Sequence, residues 1–213
     1  MEIKNNFISI ITLGNFNPAI LTPDFLWNNC KFTFIPNQTP KGQMSPIVSN
    51  LEFGNISFLM ELEKFQIMEK EPHAFKDTKI INVMETYLNI LAFTPIFVMG
   101  ANFNVKIERA NEKAISNLNN KDYLLTVFNT NEFIYSSKIK YSKNSIIDYL
   151  SWELINSEES ITRVNINLKG NIFTLNYNVE IRDIMNEKRK ISYFSENLDS
   201  INNKFQNALK EIF

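Results

Sequence analysis

The side chains best suited to chemistry are few and lie far apart in the chain. His73 is the sole histidine and Cys30 the sole cysteine. One of each does not make a zinc site of the usual ligand type. A Ser-His-Asp or Cys-His-Asn set would have to draw on His73, which follows Pro72 in "EKEPHAFKD", where a loop is its simplest description. A reactive Cys30 would need a positive neighbourhood. It follows Asn28-Asn29 at the expected end of a short helix, which fits a structural thiol. Glu61 and Glu63 share strand parity, the spacing of a carboxylate pair for acid/base work and equally of a solvated strand face. Neither Gly-x-Gly-x-x-Gly nor Gly-x-x-x-x-Gly-Lys-Ser/Thr occurs, so no nucleotide loop is recognisable. No catalytic residue, cofactor or metal is expected.

Binding residues are easier to name. In "TLGNFNPAILTPDFL", Gly14 ends an apolar run and opens a turn. Asn15 and Asn17 either aim their amides at a ligand or satisfy the turn's own backbone. Two basic stretches stand out. In "SSKIKYSK", Lys138 and Lys140 share one strand face, with Ile139 and Tyr141 on the other. In "NEKRK", Lys188, Arg189 and Lys190 cluster in an expected loop. Such residues, with Tyr135 and Tyr141 nearby, could track a nucleic-acid backbone and stack bases, or meet a protein partner. Lysines on a strand also guard a sheet edge against pairing with another chain.

Composition narrows the partners. The formal net charge of −1 removes the bulk electrostatic case for nucleic acid or an anionic membrane, leaving only local patches. A single cysteine excludes an intrachain disulfide and fits a reducing compartment. The N-terminus "MEIKNNFISIITLG" has a short apolar stretch, polar flanks and no small-residue cleavage site, unlike a signal peptide. No apolar window approaches the roughly 18 residues of a membrane helix. A cytoplasmic protein is expected, not bound to membrane. At 213 residues the chain can bury a sizeable core, and 18 phenylalanines promise an aromatic one.

The elements that must position these residues follow from periodicity. Residues 7–14 read as a β-branched strand ended by glycine. Thr22, Pro23 and Asp24 give an N-cap, a first helical proline and a first-turn acid, so a short helix should run from Pro23 to about Asn29. "PNQTPKGQMSP" reads as a polar loop. Around Gly54-Asn55, a hairpin would pair Phe53 with Ile56 and set Leu51 against Phe58. Apolar parity then changes between Leu62 and Phe65, which asks for a bulge or tight turn near Glu63-Lys64. Ile80, Met84, Tyr87, Leu88 and Leu91 form a helical stripe within residues 77–93, stopped by Thr94-Pro95. Residues 95–100 read as a strand buried on both faces, 110–119 as a weak helix, 132–143 as a strand, and 145–155 as helix or strand. A second hairpin turns at Gly170-Asn171 and pairs Leu168 with Phe173. It sets Val164, Ile166, Phe173, Leu175, Tyr177, Val179 and Ile181 inward against an Asn-rich wet face. A final amphipathic helix carries Phe194, Leu198, Ile201, Phe205, Ala208 and Ile212.

Both hairpins turn on Gly-Asn and precede a long helix, and "TLGNFN" is echoed by "VMGANFN". These echoes suggest an internal duplication, with halves 1–94 and 95–213 and an insertion near 120–160. The expectation is one compact α+β domain: antiparallel sheet with amphipathic helices on one face, in two β-α-β-β-(β)-α halves.

"LGNFNPAI", "PDFL" and "LAFTPIFVMGANFNVKI" resemble an uncharacterised bacterial family. Its members carry an early Gly-(Asp/Asn)-Phe-Asn-Pro-Ala motif and a mid-chain His-Thr-Pro-Ile motif leading into Gly-Ile-Asn. The resemblance is clear over about the first 110 residues. It implies an intracellular α+β protein and brings no activity. Phe93 stands at the position of the family's histidine, Ala101 at its isoleucine, and Lys106 at a second expected histidine. The expected function is therefore a non-enzymatic interaction protein, a subunit or adaptor that binds a protein partner or itself. The alternatives are a nucleic-acid accessory or a small-ligand binder.

Overall fold

The structure, a computed structural model, describes residues 2–30, 32, 39–108, 112–120, 122–123, 126–127, 133–141, 147–155, 160–169, 172–181 and 187–213. The described strands form one antiparallel ten-stranded sheet. β1 (Glu2–Gly14) and β6 (Ile96–Glu108) pair at its centre. From β1 the sheet continues through β5 (Lys64–Lys70), β4 (Ile56–Glu61), β3 (Val48–Phe53) and β2 (Lys41–Met44). From β6 it continues through β10 (Ile172–Ile181), β9 (Ser160–Lys169), β8 (Ile147–Ile155) and β7 (Phe133–Tyr141). Read outward, the order is 1-5-4-3-2 on one side and 6-10-9-8-7 on the other.

Several expectations are met in register. Phe53 pairs Ile56 and Leu51 pairs Phe58, and Leu168 pairs Phe173. Gly170-Asn171 itself lies outside the described residues. The parity change falls at a tight turn, with β4 closing at Glu61 and β5 opening at Lys64. Others need correction. The polar loop before Pro46 contains the short strand β2, which pairs β3 through backbone groups that need no apolar pattern. The ambiguous segment at 145–155 is the strand β8. The segment expected as an insertion thus supplies the outer strands β7 and β8. A four-strand run, rather than two or three strands, separates the helices of each half.

Four helices are described, α1 (Pro23–Asn28), α2 (Ile80–Ile90), α3 (Glu112–Asn119) and α4 (Glu187–Ile212). Thr22 Oγ1 accepts from Phe25 N at 3.1 Å and caps α1. α4 begins at Glu187, so Lys188, Arg189 and Lys190 lie in its first turn and not in a loop. Glu, Lys and Arg are good helix formers, and only their charge suggested otherwise.

The described helices pack on one sheet face. Thr12 Oγ1 of β1 sits 3.7 Å from Met84 Sδ of α2, and Tyr177 of β10 stacks on Phe205 of α4 at 5.3 Å. Alternation then fixes the core. Met99, Ala101, Phe103, Val105 and Ile107 of β6 are buried, as are Phe173, Leu175, Tyr177, Val179 and Ile181 of β10. The opposite positions of β6 are mostly half-buried, with Gly100 and Asn104 buried, so the strand is not apolar on both faces. Phe75, Phe103, Tyr177 and Phe205 form an aromatic cluster from both sides of the central pair.

Candidate interaction surface

β1 ends at Gly14, and the chain turns through Asn15–Asn17 into a 3-10 turn at Pro18–Ile20. Gly14 N donates to Glu63 O at 3.1 Å, Asn15 N to Pro95 O at 3.0 Å, and Phe16 N to Leu62 O at 2.8 Å. One short segment therefore ties the β4–β5 turn to the start of β6. A Cβ on Gly14 would stand 2.2 Å from Pro95 O, so no side chain fits there. Asn17 Oδ1 accepts from Ala19 N at 3.1 Å and caps the 3-10 turn. Ser49 Oγ holds that turn by donating to Pro18 O at 2.7 Å. The contacts of Gly14 and Asn17 are those of a turn satisfying its own backbone, and Asn15 is exposed.

This junction lies at the end of the sheet that carries most of the exposed apolar side chains. Met44, Ser49, Met60, Phe65, Thr12, Met99 and Ile181 form one cross-strand row there. Met44 lies in that row, and beside or beyond it lie Ile47 at the β2–β3 turn, Leu62 at the β4–β5 turn, and Leu13 at the end of β1. Phe93 and Phe97 flank the start of β6, and Ile90 ends α2 six residues before β6 begins. These are seven of the nine exposed large apolar side chains among the described residues; Phe93 is 99% exposed and Ile47 69%. From β2 to β6 the rim spans five strand spacings, about 24 Å. Glu61 and Glu63 flank Leu62 and are exposed. Glu61 closes β4 and Glu63 sits in the turn, so the two are not a pair on one strand face.

The other sites singled out by sequence lie elsewhere. Lys138 pairs Ser151 and Lys140 pairs Tyr149 in β8. Tyr141, at the end of β7, pairs Ile147 across an irregularity in register. Lys188, Arg189 and Lys190 lie at the start of α4, on a different element, where the helix dipole disfavours cations. His73 is exposed, beside a groove of about 580 Å³ that also includes Lys4, Glu71, Lys106 and Glu108. Lys106 Nζ sits 2.7 Å from Glu108 and Lys4 Nζ 3.4 Å from Glu2, so both ammonium groups already face carboxylates. Cys30 is buried, and burial pushes its thiol up to about 12, the opposite of an activated nucleophile. Among the described residues no group of three His, Cys, Asp or Glu side chains could hold a metal ion. No described helix is long and apolar enough to cross a membrane.

The helix-free face, wet by its polar alternation, carries a connected row of amides. Asn102, Asn104, Asn176 and Asn178 line up across β6 and β10, with Asn165 following on β9. Asn6 Nδ2 donates to Asn104 Oδ1 at 2.7 Å, and Asn104 Nδ2 to Asn176 Oδ1 at 3.4 Å. Asn176 and Asn178 both donate to Asn102 Oδ1, at 3.3 and 3.1 Å. Each of these strands carries an Asn-x-Asn triplet, at 102–104, 165–167 and 176–178, a pattern that the sequence also holds at 15–17, 117–119 and 129–131. The apolar rim had a weaker signal: Ile90 and Phe93 fall off the buried stripe of α2. No protein-family model matches the chain, and no curated protein sequence matches it.

Proposed function

We propose that this chain is a non-enzymatic interaction protein, a subunit or adaptor of an intracellular bacterial complex, that docks a protein partner through the apolar rim. The observation that carries this reading is the gathering of Leu13, Met44, Ile47, Leu62, Ile90, Phe93 and Phe97 at one end of the sheet. Scattered exposed apolar residues are ordinary, whereas a rimmed cluster marks an interaction site. The carboxylates of Glu61 and Glu63 beside Leu62 disfavour an anionic lipid surface as the occupant. The test is affinity capture of the tagged chain from its native host, with light scattering on the purified protein. A retained partner or a stable oligomer is expected, and a strict monomer that retains nothing would contradict the reading.

A nucleic-acid role is the second reading, supported by one register row across the sheet. Lys140, Tyr149, Asn167, Thr174, Lys106 and Lys4 follow one another across six strands. Oligonucleotide binding that weakens with salt would favour it, and no binding at low salt would end it. We also infer that residues 1–94 and 95–213 are related halves. The matching outward strand orders support this. The two Gly-Asn hairpins do not, because one joins β3 to β4 and the other falls between β9 and β10, which are not equivalent places in that order.

A further inference from the structure

We propose that the groove over Gly100, on the helix-free face, binds a small neutral planar ligand bearing a carboxamide or lactam edge. Gly100 sits within the central strand β6, opposite Ile11 of β1 and Glu180 of β10. A glycine there weakens a strand and often marks a close approach by another group. At Gly14 and Gly42 the backbone supplies that group: an added Cβ would meet Pro95 O at 2.2 Å or Asn50 O at 1.9 Å. Gly100 is different. Its Cβ would meet only the side-chain end of Asn178, Nδ2 at 3.3 Å, and Val179 O at 3.5 Å. The fold does not require a bare backbone at this position, and the missing side chain leaves a groove of about 280 Å³.

The groove has two kinds of wall. Ile11, Leu13 and Val98 are apolar, and Asn102 and Asn178 are amides. The network fixes how those amides are turned. Asn102 Oδ1 accepts from both Asn176 and Asn178, which fills its two lone pairs. Asn178 Nδ2 donates to Asn102 Oδ1 and to Ala101 O, at 3.1 and 3.3 Å, which uses both hydrogens. Asn102 and Asn178 are direct partners across β6 and β10, and neither the NH2 of Asn102 nor the carbonyl of Asn178 is used within that network. A carboxamide or lactam shows a carbonyl beside an N–H on one edge and matches that pair. Its ring face would lie on Ile11, Leu13 and Val98. Arg163 and Glu180, which also line the groove, pair with each other. The site thus offers no uncompensated charge and selects a neutral ligand. The volume lies at the low end of small-molecule sites, enough for a single ring.

The test is titration of the isotope-labelled full chain with nicotinamide, as the carboxamide, and uracil, as the lactam. Benzoate serves as a ring of similar shape without the edge. Saturable shifts of the Asn102 and Asn178 side-chain amides are expected with either or both of the first two and not with benzoate. Whichever arm responds identifies the source of the edge. Gly100→Val should fill the groove and abolish the shifts while the backbone spectrum stays that of the folded chain. Asn102→Leu, which leaves the backbone untouched, should weaken binding about tenfold, the worth of one net hydrogen bond. No saturable shift with either ligand would overturn the proposal. So would an equal response to benzoate, or binding that survives in both variants.

Discussion

At Gly14 a single added methyl would stand 2.2 Å from Pro95 O, and neither backbone can yield without breaking the hydrogen bonds of the junction. Gly14→Ala should therefore destabilise the protein by about 1–3 kcal/mol, measured as a lower urea midpoint at unchanged slope. Thr22→Ala removes the acceptor for Phe25 N and should cost about 1 kcal/mol in the same assay. The Cys30 thiol is held neutral by burial, its value raised from 9.0 to about 12. A group raised in the folded state contributes its full stability below the unfolded value and loses it as pH climbs toward the folded one. Stability should then fall between about pH 9 and 12 in wild type, and that loss should be smaller in Cys30→Ala. The cap at Thr22 was legible in the sequence because capping is local. The reason for Gly14 was not, because Pro95 approaches from the other end of helix α2.

At the scale of elements, strands with one wet face and one dry face declared their own register, as in β9 and β10, where the inward and outward sets alternate without a break. β2 was hidden because all of its residues are exposed and no apolar alternation marks it. The first turn of α4 is purely charged, and charge does not distinguish an exposed helix from a loop, so the sequence shows only the later, apolar part of this helix. The apolar stripe of α4 was legible, and its packing gives a sharp expectation. Phe205 is fully buried and meets Phe75, Phe103 and Tyr177, which come from both sides of the central strand pair. Phe205→Ala should cost about 3–5 kcal/mol. Because its partners come from both halves of the chain, the loss should appear in one cooperative transition by both fluorescence and far-ultraviolet dichroism. Two separate transitions would show that the halves unfold independently.

For the whole molecule, the proposed docking role rests on which exposed side chains the strand order brings together. The sequence could show that catalytic sets were sparse, since His73 and Cys30 are single residues. It could not show that residues as distant as Ile47 and Phe97 share one rim, because that follows from strand order. Phe93 is almost wholly exposed, so Phe93→Asp should leave stability within about 0.5 kcal/mol of wild type. The measurement that bears most directly on the docking claim compares the partner captured from host lysate by wild type, Phe93→Asp and Lys138→Glu at equal folded concentration. The rim account predicts loss of the partner in Phe93→Asp and retention in Lys138→Glu. Full retention by Phe93→Asp, with loss in Lys138→Glu, would contradict it and move the interface to the basic strand.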